Sequence, residues 1–356
     1  MKKYILFPLL LIQITCTHSP KSKASQPSDT SAIQNNKTTS PENLFKLGEV
    51  IPSINLVSDS NQKFALYLPK NYSAAQRYPV IIFFDPHAEG IIPLNKYEKL
   101  AEKYQYILVA SNTSKNGMDA ETANKVANQL LQETKTRFSI DPLKITLCGF
   151  SGGAKVAFMI ASENPDISRL IYCGAVTRFN PNHPIQLLGF AGNKDMNYTD
   201  LVSFEWSLEG APFKHYLLEW KGKHEFPDEV TFENAFTFIN TGSIDNYKDK
   251  MVSISASQVE EEQSHKQKYI DAFQSKDIGW WKDEIKLLNH NKKNNLMAER
   301  LLGFISLACY SLSNNSLAQN DLLTAERILG IYKLADPSNE ACKEFIKELN
   351  QRKLRH

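Results

Sequence analysis

Between Phe64 and about Asn240, short runs rich in Val, Ile and Phe alternate with stretches whose apolar residues recur at helical spacing. The runs Phe64–Leu68, Pro79–Phe84, Tyr106–Ala110, Lys144–Gly149, Arg169–Cys173, Ile185–Ala191 and Lys214–Trp220 predict strands. The segments between them, Leu94–Lys103, Ala120–Arg137, Gly153–Glu163 and Tyr198–Leu208, predict helices. Near-continuous apolar strands alternating with helices imply an α/β fold, a mostly parallel sheet covered on both faces. Ligands of such sheets bind beyond the C-terminal ends of the strands, so the residues just after each run are the ones to inspect.

Around Thr241–Ser257 the chain turns polar and loses strand signals; beyond it the pattern is helical throughout, at Val259–Phe273, Trp281–His290, Ala298–Leu312, Leu322–Leu334 and Glu340–Asn350. Ala325, Leu329 and Pro337 stand at offsets similar to the second helix of a tetratricopeptide repeat and its closing turn, with Phe304, Leu307 and Ala308 as candidates for the first helix. The connection through Asn314–Asp321 is about five residues longer than that repeat uses. The expectation is one degenerate TPR-like unit, or a plain helical tail packed on the sheet domain. The organisation is then a signal at 1–16, a tether at 17–48, an α/β domain at 49–241, a linker at 242–257 and an all-helical TPR-like region at 258–356.

The N-terminus changes the picture of where the protein works. Lys2 and Lys3 precede the apolar stretch Tyr4–Ile14, which is too short for a comfortable bilayer crossing and reads as an export signal. Cys16 sits where a bacterial lipoprotein is cleaved and lipidated, and Gln13-Ile14-Thr15 resembles the lipobox. Ordinary secretion and a retained anchor are the alternatives. The Ser, Thr, Lys, Asn and Pro rich segment that follows cannot bury enough apolar surface to order itself. Its roughly 30 residues span about 30 Å as a flexible chain, enough to hold a folded domain clear of a membrane surface. The expectation is a protein of the bacterial cell envelope, held to the membrane by a lipid anchor.

Composition sets further limits. The chain has 356 residues, 42% of them hydrophobic and 22% charged, which suits a folded protein with a full core. A net charge of +2 and the lack of a dense Lys/Arg stripe argue against a nucleic-acid partner. Cys148 and Cys173 fall in strand-like runs, Cys309 and Cys342 in helical ones. A disulfide in either pair stays open, but the spacing matches neither a disulfide framework nor a zinc site. No metal is expected.

The candidate chemistry begins at Gly149-Phe150-Ser151-Gly152-Gly153, entered from a predicted strand and left by a predicted helix. A serine on such a sharp strand-to-helix turn is exposed above the sheet edge, and small neighbours let the tight backbone form. The helix N-terminus favours negative charge developing there. Ser151 needs a base, and in this architecture the order is serine, carboxylate, histidine. His224, just beyond the last strand, fits as base; His215 lies inside that strand, and the other histidines are upstream or in flanking regions. Asp195 emerges after the strand ending at Ala191 and would fix the His224 tautomer. Asp200 and Glu205 compete with it from the following helix, and Glu225 adjoins the histidine. For the oxyanion, Gly152 N–H is one expected donor. Pro86 lacks an N–H, so His87 is the second, with Ala88 behind it.

Through Pro79–Asp85, Gly149–Gly153, Gly192–Asp195 and Gly222–Pro227, residues 64 to 240 resemble an α/β hydrolase of the esterase, dienelactone-hydrolase and secreted-depolymerase-like branch. That resemblance covers about half the chain. It implies ester, thioester or peptide-bond hydrolysis through an acyl-enzyme, with no metal or organic cofactor. The expected activity is a serine hydrolase, carboxylesterase-like rather than peptidase, on a small-molecule or polymer-borne ester. The rival expectation is a non-catalytic, membrane-tethered binding or assembly protein that uses this fold and its helical tail as a scaffold for a protein partner.

Overall fold

A computed structural model describes residues 44–354. The signal-like segment, Cys16 and the tether up to residue 43 lie outside the described residues. Within the tether's expected bounds, Phe45 already packs on Phe138 (ring centroids 5.9 Å apart) and the Gly48 N–H donates to Leu68 O, so ordered packing begins a few residues before 49.

Strands β1 (Val50–Asn55), β2 (Lys63–Tyr67), β3 (Tyr78–Phe84), β4 (Ile107–Ser111), β5 (Ile140–Phe150), β6 (Arg169–Cys173), β7 (Gln186–Gly192) and β8 (His215–Trp220) form one sheet in the order β1-β2-β4-β3-β5-β6-β7-β8. The β1–β2 and β2–β4 pairings are antiparallel. From β4 across to β8 every pairing is parallel. Helices α1 (Ile91–Tyr104), α2 (Ala120–Arg137), α3 (Gly152–Glu163), α4 (Tyr198–Ser207) and α5 (Glu229–Thr241) cover it.

Alternation along each strand explains why two faces need cover. Val80, Ile82 and Phe84 join one core with Leu130 of α2, Phe158 of α3 and Leu201 of α4. Their neighbours Ile81 and Phe83 join the opposite core with Tyr97 of α1 and Phe232 of α5. The unbroken apolar run of β3 is thus used on both sides. Two elements of this domain have weaker or overlooked signals. β1 reads Val-Ile-Pro-Ser-Ile-Asn, a broken run suited to the half-exposed edge it occupies. α5 has a plain signal, with Asp228 accepting the Thr231 N–H as its cap and Phe232, Ala235, Phe236 and Ile239 at helical spacing.

The remaining chain is helical: α6 (Tyr247–Lys250), α7 (Ala256–Ser275), α8 (Ile278–Asn291), α9 (Leu296–Ala318), α10 (Leu322–Ala335) and α11 (Glu340–Lys353). A capping box of Ser255 and Gln258 starts α7. Tyr269, Trp281, Ile305, Cys309, Ile328 and Tyr332 build a third core inside this layer. α9 is long and apolar enough to cross a membrane by length and composition, and here it packs at the centre of the layer. Because α9 continues to Ala318, the long connection expected at 314–321 is mostly helix, and only Gln319–Asp321 turn the chain. Residues 242–257 run beside β8: Met251 bridges Leu218, and the Leu217 N–H donates to the Tyr247 hydroxyl. Cys148, Cys173, Cys309 and Cys342 are buried free thiols.

Candidate active site

β5 ends in the predicted turn. Ser151 takes φ 52° and ψ −122°, a left-handed backbone that costs a non-glycine residue about 1–3 kcal/mol. The turn is held because the Ser151 N–H donates to Cys173 O at 2.9 Å, on the neighbouring strand β6. Gly149 and Gly153 have no room for a side chain: a β-carbon on Gly149 would lie 2.3 Å from Gly153 O. The elbow is therefore a close approach of backbone to backbone, which is why glycine flanks the serine.

His224 leaves the loop after β8 and its Nε2 lies 2.8 Å from Ser151 Oγ. Its Nδ1 lies 2.9 Å and 3.0 Å from the two oxygens of Asp195. A carboxylate only accepts, so the proton sits on Nδ1 and the Nε2 lone pair faces the serine hydroxyl. Asp195 is 1% exposed, and its Oδ1 also accepts the Asn197 N–H at 2.8 Å. The competing carboxylates are engaged elsewhere: Asp200 lies 3.3 Å from Lys266 Nζ, and Glu205 pairs with His215 at 2.8 Å. Burial pushes the Glu205 carboxyl up, with the His215 contact opposing.

The loop carrying His224 is pinned from α1, where Lys96 Nζ donates to Phe226 O and the Tyr97 hydroxyl to Pro227 O. Phe150 and His224 pack ring to ring, centroids 4.7 Å apart. To reach Ser151, His224 passes over the end of β6, where Gly174 at φ 68° leaves space. A β-carbon there would lie 3.0 Å from His224 Nδ1 and Cε1. Sequence reasoning missed Gly174, although a glycine ending the strand beside the nucleophile was a legible signal.

The oxyanion loop departs from expectation. The His87 N–H donates to Asp85 Oδ1 at 2.8 Å, so the structure directs this donor back into its own turn instead of leaving it free. The Glu89 N–H reaches the same oxygen at 3.3 Å, and the Ala88 N–H donates to Asp85 O. Pro86 earlier excluded the N–H before His87; what the sequence did not reveal is a carboxylate competing for the N–H after it. Asp85 is 4% exposed, and desolvation raises its carboxyl against those two hydrogen bonds. Gly152, the other expected donor, opens α3. Asn116 lies over it, with Oδ1 where a Gly152 β-carbon would be, and its own N–H donates to Pro86 O.

The family described as "Putative esterase" matches residues 57–177, about a third of the chain, which includes the elbow and stops before Asp195 and His224. Among solved structures, the fluorophosphonate-binding serine hydrolase F of Staphylococcus aureus is similar at 14% identity and TM-score 0.43, over 55% of this chain and 99% of its own. An esterase from Pyrobaculum calidifontis is similar at 11% identity and TM-score 0.45, over 56% of this chain and 87% of its own. A ferulic acid esterase from Anaeromyces mucronatus is similar at 18% identity and TM-score 0.40, over 54% of this chain and 89% of its own. Comparison with curated protein sequences gives no match. The esterase match thus runs through the elbow, and the mostly parallel sheet that holds the elbow carries an added helical layer.

Proposed function

We propose that the protein hydrolyses esters through an acyl-enzyme, with Ser151 as nucleophile, His224 as general base and Asp195 as the group that orients the base. The observation that carries this reading is the unbroken line from Ser151 Oγ through His224 to buried Asp195, with 2.8 Å and 2.9 Å links. Oγ attacks the acyl carbon while its proton passes to Nε2. The oxyanion forms beside the Gly152 N–H; the His87 N–H joins it only by releasing Asp85. Collapse expels the alcohol, which takes the proton from Nε2. Water then attacks the acyl-enzyme, gives a proton to Nε2, and the acid leaves as the serine regains its hydrogen. Each step stays within the reach of one imidazole.

Esters rank above peptides because the family match is to esterases. The substrate is a small-molecule or polymer-borne ester. Export and lipidation at Cys16 would place the enzyme on an envelope membrane; the support is the basic and apolar N-terminal pattern. Radiolabelled palmitate incorporation, absent in Cys16→Ser, tests the anchor. The chemistry is tested with a fluorophosphonate probe and a panel of short-chain and long-chain acyl esters. Wild type should be labelled and turn over at least one ester, and Ser151→Ala should do neither. Equal labelling of both proteins would remove Ser151 from the role. A non-catalytic scaffold is disfavoured by the intact hydrogen-bonded line among the three residues.

A further inference from the structure

Arg300 lies in α9, outside the sheet domain, yet its guanidinium reaches the turn that bears Asp195. Its Nη1 donates to Asn193 O at 2.8 Å, two residues before the acid. Nε and Nη2 fork onto Glu262 Oε2 of α7 at 2.9 Å and 2.6 Å. Glu262 is fully buried and Arg300 is 5% exposed. The charges around the pair come from three elements: Lys266 of α7 lies 4.0 Å from Glu262 Oε1, and it also contacts Thr199 Oγ1 at 3.0 Å and Asp200 Oδ2 at 3.3 Å of α4. The guanidinium stacks 4.7 Å from the Tyr198 ring centroid.

Neighbouring positions on α9 grip the same turn. Glu299 pairs with Lys194 at 3.2 Å, and the bare Gly303 admits Met196, whose Cβ lies 3.4 Å from where a β-carbon would stand. Residues 193, 194, 196 and 198 are thus each met from α9, while Asp195 alone points to the histidine. A buried ion pair contributes little net stability compared with apolar packing of the same volume. What the forked guanidinium supplies here, and an apolar side chain would not, is a fixed donor for the half-buried Asn193 carbonyl beside Asp195.

We infer that Arg300, braced by Glu262, is a positioning residue for Asp195, so that the helical layer is a working part of the active site and not a separable adaptor. This rests on the triad reading above. The double variant Arg300→Met/Glu262→Met removes both charges together and leaves no orphaned carboxylate in the core. It should keep the wild-type circular dichroism spectrum, yet lose about ten- to a hundredfold in kcat with KM within about twofold, the pattern of a displaced catalytic group. Arg300→Lys keeps a cation on Glu262 but cannot span both partners; assayed well below its melting temperature it should fall between the two in kcat, and it decides the case if the double variant fails to fold. Wild-type kcat in Arg300→Lys, or in a folded double variant, overturns the inference. A wild-type protein that neither hydrolyses esters nor takes the probe instead overturns the triad reading, and the two failures are distinct.

Discussion

Gly153 sits so close to Phe84 that a β-carbon on it would lie 2.0 Å from the Phe84 carbonyl oxygen, at the end of β3. Backbone on backbone cannot yield cheaply. Gly153→Ala should therefore lose stability near the upper end of over-packing, about 3 kcal/mol, and lose probe labelling with it. Gly152→Ala is the contrast: its methyl meets only the side-chain end of exposed Asn116, which can swing away. That variant should melt within about 0.5 kcal/mol of wild type and still be labelled. Thermal melts with labelling on the two proteins check the pair; equal damage in both would mean the elbow is not held as described.

Asp195→Asn keeps an oxygen for the Asn197 N–H but no longer holds the His224 proton on Nδ1. With the wrong tautomer facing Ser151, kcat should fall by about 10⁴ while the melting temperature stays near wild type. A loss of less than about tenfold would show that the acid does not set the tautomer.

Gly174→Ala places a methyl 3.0 Å from the imidazole and 2.9 Å from the Phe150 ring, in a left-handed backbone. The backbone term costs about 1–2 kcal/mol, and a displaced His224 adds a catalytic loss of about tenfold or more. Activity at full folding, measured well below the melting point, separates the two; full kcat in the folded variant would mean His224 does not depend on that gap.

Asp85 gives a pH prediction. Burial raises its carboxyl above the ordinary value of 3.8, so the native state holds that proton to higher pH than the unfolded chain does. Native protein then binds more protons across that window. Stability falls as pH rises through it, and the cost persists at every higher pH. Asp85→Asn keeps the oxygen that accepts the His87 and Glu89 N–H groups and removes the charge. It should melt higher than wild type near pH 7, and the gap should close as pH falls below about 3.8. A lower melting temperature near pH 7 would mean the charged form's hydrogen bonds outweigh its desolvation.

Much of this was legible because the parallel strands are almost purely apolar and the candidate site residues lie just beyond their ends. Arg169–Cys173 and Ala120–Arg137 stand in the structure with the bounds their patterns give. Ser151, Asp195 and His224 were reachable because chain order and strand ends limit the choice of histidine and acid. β1 was not, since Pro52 and Ser53 interrupt it and pairing with β2 supplies what its own pattern lacks. Asp85's hold on His87 depends on a side-chain rotamer within a turn, and Arg300's hold on Asn193 on two layers docking; no local pattern encodes either.

The Arg300–Asn193 bond joins residues 107 apart in the chain, whereas β5, β6 and β7 each pair with the next strand in sequence. Closing a long loop costs entropy before its contacts return anything, so the β5–β8 pairings are expected to form before the clamp. If the proposed triad holds, competence is then a late event in folding: the Ser151 turn belongs to the sheet, and the Asp195 turn gains its brace only once the helical layer has docked.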